Sequence, residues 1–182
     1  MRRFFLVILT AVVLCGCTPN QGSDANAAQT AYESYYQAIE ENGRFQNSSL
    51  YYDISAEMTV LPDGTHSYYI FLDNVQIAMY DVVMLAVEGD QLYADTGKMM
   101  PSIGIFDNTD VNLIPFQSNP AAGYARGLMI SGNCEEDEVE LKILVEWKDK
   151  TREKMNREFL SLILNMNGVS YPEKSIEEGG TE

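Results

Sequence analysis

The sequence predicts an all-β fold, an antiparallel sandwich preceded by one N-terminal helix, and three observations predict it. After Phe45 the apolar residues recur with period two. Turn signals break the chain at intervals of roughly eight to twelve residues, the spacing of a sandwich. No segment alternates strand and helix in the way a parallel sheet requires.

The chain divides at changes of composition into segments 1–16, 17–29, 30–45, 46–172 and 173–182. From Thr18 to about Gln29 the residues are small and polar and cannot bury a core, which predicts a flexible tether over 17–29. Ala28, Ala31, Tyr32, Tyr35, Ala38 and Ile39 then recur at helical spacing, with Glu33, Gln37, Glu40 and Glu41 on other faces and Asn42-Gly43 as a stop. A helix follows over the segment 30–45, with its periodicity detectable from about Ala25 to Glu41. Its Tyr and Ile stripe is expected to pack on the domain behind it rather than to meet a partner.

Segment 46–172 carries the sandwich. Tyr52, Ile54, Ala56, Met58 and Val60 alternate with Asp53, Ser55, Glu57 and Thr59, a strand with one buried face. Pro62-Asp63-Gly64-Thr65 is a turn, with proline presetting φ and glycine allowing the left-handed conformation. Tyr68 to Leu72 is the returning strand. A second alternating series runs from Val75 to Val87, where Asp81 interrupts the apolar face and predicts a bulge. It is followed by the Glu88-Gly89-Asp90-Gln91 turn and a short strand at Leu92 to Ala94. Between residues 96 and 123 only Ile103–Phe106 and Val111–Phe116 are apolar enough for short edge strands. Gly127–Ser131 predicts a brief strand, Asn133–Asp137 an acidic turn, and Val139 to Trp147 the clearest alternation in the chain, with Trp147 anchoring the core.

The next segment reads two ways. Met155, Phe159, Leu162, Ile163 and Met166 fit a helix, yet Lys148-Asp149-Lys150-Thr151 reads as a hairpin turn into a final strand. The strand is favoured, because the preceding strand needs a partner. Residues 173–182 form an acidic, glycine-containing tail expected to be disordered.

Two resemblances extend this reading. Met1-Arg2-Arg3 is a basic start, Phe4 to Leu14 an apolar run about half the roughly 20 residues a membrane-spanning helix needs, and Leu14-Cys15-Gly16-Cys17 follows it. This resembles a bacterial lipoprotein signal peptide: Leu14, Gly16 and Cys17 match the family pattern, while Cys15 stands where alanine or serine is commoner. The resemblance implies removal of residues 1–16, diacylglyceryl attachment to the Cys17 sulfur, and an extracytoplasmic, membrane-anchored protein. The second resemblance covers about thirty residues. Glu140 to Asp149, a turn, then Arg157 to Leu162 is similar to the last hairpin of immunoglobulin-like domains of bacterial envelope proteins. It implies an immunoglobulin-like sandwich without the disulfide of that fold's cysteine-bearing form, and it carries no catalytic residues with it.

Composition narrows the function. With 27 acidic against 12 basic residues the net charge is −15, and losing Arg2 and Arg3 with a signal peptide makes it more negative still. Nucleic acid is not an expected partner, because phosphate binding needs clustered Lys and Arg. The same charge repels anionic headgroups, so the body is expected to stand off the membrane. Once Cys15 leaves and Cys17 is acylated, Cys134 remains alone, so no intramolecular disulfide is expected. Its neighbours Glu135, Glu136 and Asp137 do not lower a thiol pKa, which makes Cys134 a structural residue.

No catalytic residue, metal site or cofactor is predicted. The only histidine, His66, sits beside a turn without a nucleophile motif, and His66 with Cys134 has no zinc-ligand spacing. Two oxygen-rich loops, Asp107–Asp110 with Asn112 and Asn133–Glu138, hold carboxylates suited to a hard cation, but neither matches the EF-hand pattern and both are expected to be solvated. The eleven tyrosines include the doublets Tyr35-Tyr36, Tyr51-Tyr52 and Tyr68-Tyr69. On a strand one member of a doublet faces outward, so Tyr51 and Tyr69 are the candidate ligand-binding residues, forming an aromatic strip for a glycan or peptide; the competing expectation is simple cross-strand pairing in a hairpin. The sequence thus predicts a non-enzymatic binding, adaptor or spacer module of the cell envelope, whose partner is another envelope protein or a glycan. The alternative is a glycan- or solute-binding lipoprotein using the tyrosines.

Overall fold

The computed structural model describes residues 21–107 and 109–172, with side chains from Ala25 onward. Cys17, the expected signal segment 1–16 and the expected tail 173–182 lie outside the described residues. Helix α1 (Gln21–Glu40) is followed by β1 (Asp53–Val60), β2 (His66–Asp73), β3 (Tyr80–Glu88), β4 (Ser102–Ile103), β5 (Asn112–Leu113), β6 (Tyr124–Ala125), β7 (Leu128–Cys134), β8 (Glu138–Lys148), β9 (Met155–Asn165) and β10 (Gly168–Ser170). The fold is the expected all-β antiparallel sandwich with one N-terminal helix. One sheet has the order β1-β2-β7 and the other β10-β9-β8-β3-β4. A short parallel pair, β5 with β6, stands apart from both.

The alternation seen in the sequence explains the layers. Tyr68, Ile70 and Leu72 of β2 and Leu128 and Ile130 of β7 meet Val82, Met84 and Ala86 of β3 between the sheets. Leu141, Ile143, Val145 and Trp147 of β8 and Leu160, Leu162 and Leu164 of β9 complete this core. Trp147 is buried there as expected. On the other face of the five-stranded sheet, Leu85, Val87 and Leu144 meet Tyr32, Tyr36 and Ile39 of α1. Strands β3 and β8 are therefore covered on both sides, which is why β3 is apolar almost throughout. The stripe on α1 packs on the domain, as its spacing predicted.

Both hairpins follow from turn chemistry. Strand β1 pairs with β2 in continuous register from Asp53↔Asp73 to Val60↔His66. Gly64 in the turn takes φ +88°, and Leu61 N–H donates to the Thr65 carbonyl at 2.8 Å. Strand β8 pairs with β9 from Glu138↔Asn165 to Lys148↔Met155, so residues 155–165 form the strand rather than the helix. The predicted bulge lies at Asp81, which has φ +50° where the β3–β8 register shifts between Tyr80 and Val83. The side chain of Asn112 accepts the Asp81 N–H at 3.1 Å, and Lys148 and Arg152 pair with the Asp81 carboxylate at 2.9 and 3.0 Å.

Three expectations are corrected. Residues 21–29 belong to α1 rather than to a tether, because the helix continues through small residues toward its N-terminus. Residues 75–79 precede β3 instead of extending it; Met79 makes only an isolated bridge with Leu113. No strand forms at Leu92–Ala94. The chain turns there, with Asp95 and Thr96 N–H groups donating to the Leu92 carbonyl, and the β3 edge is paired with β4 instead.

Candidate functional site

The two sheets differ in what lies outside them. Helix α1 covers the outer face of the five-stranded sheet, whereas the outer face of β1-β2-β7 has no covering element among the described residues. Alternation places Tyr69 and Phe71 of β2 on that face. In register, Tyr69 lies between Glu57 of β1 and Ser131 of β7, and Phe71 between Ser55 and Met129. Tyr69 and Phe71 are half-buried and Met129 is exposed. Two aromatic rings with a thioether beside them, bordered by two hydroxyls and a carboxylate, form a flat amphipathic surface. Such a surface can stack on a ligand and hydrogen-bond its edges.

The structure separates the two tyrosines predicted to act together. Tyr69 is central on this open face. Tyr51 precedes β1 and is partly exposed, with its ring edge-on to Trp147 at 5.7 Å between centroids. Tyr52, its buried neighbour, approaches Trp147 at 5.9 Å from another side. The doublets Tyr51-Tyr52 and Tyr68-Tyr69 each place one member inward, Tyr52 and Tyr68, and one outward. The residues that extend Tyr69 into a surface, Phe71 and Met129, were missed in the sequence; the signal for Phe71 was its i, i+2 spacing from Tyr69, whereas Met129 arrives only through the β2–β7 register.

The Trp147 end of the core contains polar atoms without partners. The Tyr52 hydroxyl, Trp147 Nε1 and Glu158 Oε2 are buried without a hydrogen bond of ordinary geometry. Desolvation pushes the Tyr52 pKa up, and the nearby Glu158 charge adds to the effect.

The remaining candidates are placed as follows. His66 is buried, with Nε2 3.5 Å from the exposed Asp137 carboxylate and Nδ1 unpartnered. Cys134 stands opposite it in the β2–β7 register, but its thiol donates to the Glu136 carbonyl at 3.6 Å. Burial, the largest effect, and then Glu88 and Glu136 raise its pKa. A nucleophilic thiol requires the opposite shift. In the Asp107 loop, Asp107 Oδ2 accepts the Gly104 N–H at 2.5 Å. No group of three or more His, Cys, Asp or Glu side chains is placed to share a metal ion among the described residues.

One buried charged cluster belongs to the scaffold. Glu146 of β8, on the helix side of the sheet, accepts the Tyr35 hydroxyl at 2.6 Å and Arg157 Nε at 2.7 Å. The Arg157 guanidinium lies 5.4 Å from the Tyr35 ring centroid. Burial, then the hydrogen bond to Glu146, pushes the Tyr35 pKa up. The cluster fastens α1 to β8 and β9.

No described helix is long and apolar enough to cross a membrane. The fold defines a helix-backed β-sandwich with one open sheet face, and comparison with protein-family models, curated proteins and solved structures finds no match.

Proposed function

We propose that this chain is a membrane-anchored extracytoplasmic lipoprotein acting as a non-enzymatic binding, adaptor or spacer module of the cell envelope, with an immunoglobulin-like sandwich as its body. The anchoring half of the reading rests on Leu14-Cys15-Gly16-Cys17 after its basic and apolar lead. Two acyl chains, at about 0.8 kcal/mol per buried CH₂, hold a protein on a bilayer without other contacts. The binding half rests on one observation: the sheet without a helix presents Tyr69, Phe71 and Met129 outward. A spacer needs no aromatic row on its solvent face.

The hydroxyl and carboxylate border of that row, Ser55, Glu57 and Ser131, favours a second reading in which the ligand is a glycan of the envelope. Sugars combine apolar CH faces with many hydroxyls, and an aromatic plane bordered by polar groups matches both.

Two measurements test the proposal. Changing Cys17 to Ala should abolish lipid labelling and leave residues 1–16 uncleaved; a variant that still takes up lipid label, or a parent chain that takes up none, contradicts the anchor. A Tyr69→Ser, Phe71→Ser double variant should lose cosedimentation with envelope polysaccharide while keeping the wild-type unfolding midpoint within a few degrees. Loss of a protein crosslink at Tyr69, with polysaccharide binding absent in both forms, assigns the face to a protein partner. Retention of every interaction rejects the face as a binding surface.

A further inference from the structure

At the end of the sandwich opposite Trp147 there is a cleft of about 540 Å³, within the range of small-ligand sites. It lies between the β2–β7 strand ends and the loop 89–101 that joins β3 to β4. Its deepest charged group is Glu88, whose side chain is 12% exposed. The Tyr68 hydroxyl donates to Glu88 Oε1 at 2.7 Å from a fully buried ring. Lys98 Nζ donates to the same carboxylate at 2.8 Å and also to the Asn133 carbonyl. A carboxylate and a carbonyl thus converge on one ammonium group.

The two partners are held very differently. Glu88 is nearly buried and fixed by Tyr68, and a buried carboxylate left unpaired is strongly unfavourable, so this position requires a cation. Lys98 is 44% exposed and is carried on a loop with glycines at positions 89 and 97. What the buried carboxylate requires is an ammonium group rather than Lys98 itself, and Lys98 loses rotamer freedom in supplying one from a loop. Glu135 and Glu136 stand at the mouth of the cleft, giving three carboxylates to one lysine among its lining residues. The surplus negative charge attracts a further cation to a place where one ammonium group can be exchanged for another.

We propose that this cleft is a binding site for a primary alkylammonium group, which takes the place of Lys98 between Glu88 and the Asn133 carbonyl, and that Lys98 is an internal competitor for it. The group is either a free amine or a lysine side chain of a basic partner. The site is separate from the Tyr69 face and does not depend on its function.

The test titrates the full chain, solubilised in detergent, with 1,5-diaminopentane and with tetralysine, using 1,5-pentanediol as the uncharged control and backbone amide shifts as the readout. Both ammonium probes, or tetralysine alone if the natural ligand is a basic chain, should shift Glu88, Asn133 and Cys134, and the diol should not. Lys98→Met keeps most of the stem and removes the charge. If Lys98 holds its place roughly nine-tenths of the time, the variant should bind about tenfold more tightly. Lys154→Met makes the same change in net charge at the far end of the molecule and should leave affinity unchanged. Equal strengthening by both variants reduces the effect to overall charge and overturns the proposal. So does binding by the diol, or no shift in the cleft of a folded Lys98→Met protein.

Discussion

Gly132 of β7 shows how closely single residues are fitted. It faces Tyr68 across the β2–β7 pair, and a Cβ there would come within 2.3 Å of the Tyr68 hydroxyl oxygen and 2.4 Å of the ring. Tyr68 lies over the glycine because its hydroxyl reaches Glu88. Gly132→Ala should therefore destabilise the protein by about 2 kcal/mol, in the range of overpacking. In a Tyr68→Leu background the same change should cost much less, since the clashing atoms are gone. Urea denaturation of the four proteins of that cycle measures the coupling, and additive effects refute the explanation. The sequence reading ends the strand at Ser131 and gives Gly132 no role, because a requirement for absent volume has no periodicity. Tyr69 was legible as an outward residue, since alternation alone decides its side. That Tyr51 leaves the strip was not legible, because its place is set by Trp147, which is distant in the sequence and near only after both sheets assemble.

Turns are the elements whose chemistry is most local, and they account for much of what could be read in advance. Asp63 accepts hydrogen bonds from the Thr65 side chain and backbone, and Asp149 from those of Thr151. In each case the threonine side chain is the main cause of a carboxyl pKa below the ordinary aspartate value. A depressed folded pKa means that the stabilisation is complete above the unfolded aspartate pKa and is lost as pH falls through the lowered value. An Asp63→Asn, Asp149→Asn variant should accordingly be less stable than the parent at neutral pH. The difference should narrow as pH drops below the ordinary aspartate range; a difference that stays constant down to acid unfolding contradicts this origin. The same Asp149 turn decided between strand and helix for residues 155–165. Their apolar spacing fits either, but the turn returns the chain alongside β8, whose open edge takes it. The false strand at Leu92–Ala94 arose from the opposite situation, a short apolar run that the chain closes into a turn on the Leu92 carbonyl while β4 pairs with β3 at Met84 and Leu85.

At the scale of the molecule, α1 is a third layer rather than an appendage. Tyr36 is fully buried, stacks edge-on with Tyr32 and Tyr93, and donates its hydroxyl to the Gln91 carbonyl at 2.9 Å. Helix and sandwich should unfold in one transition, and Tyr36→Ala should lower it by about 3–5 kcal/mol, the cost of removing a large buried ring. A second, earlier transition in calorimetry, with the sandwich midpoint unmoved, shows instead that the helix folds independently. The layered class was legible because period two and period 3.6 are properties of the chain itself. Which sheet the helix covers was not, since both sheets have apolar residues to offer.

The loop between β3 and β4 belongs to two neighbourhoods. At Gln91, Tyr93 and Met100 it is bonded to the helix, through Tyr36, through Gln29, Glu33 and Glu40, and through Tyr32. At Lys98 it reaches across to Glu88 and Asn133 on the far side of the sheet. Where the helix sits and who occupies the Glu88 carboxylate are thus written into a single stretch of thirteen residues, 89–101. A tug on the N-terminal end of this protein and a cation arriving at its opposite face are addressed to the same short piece of chain.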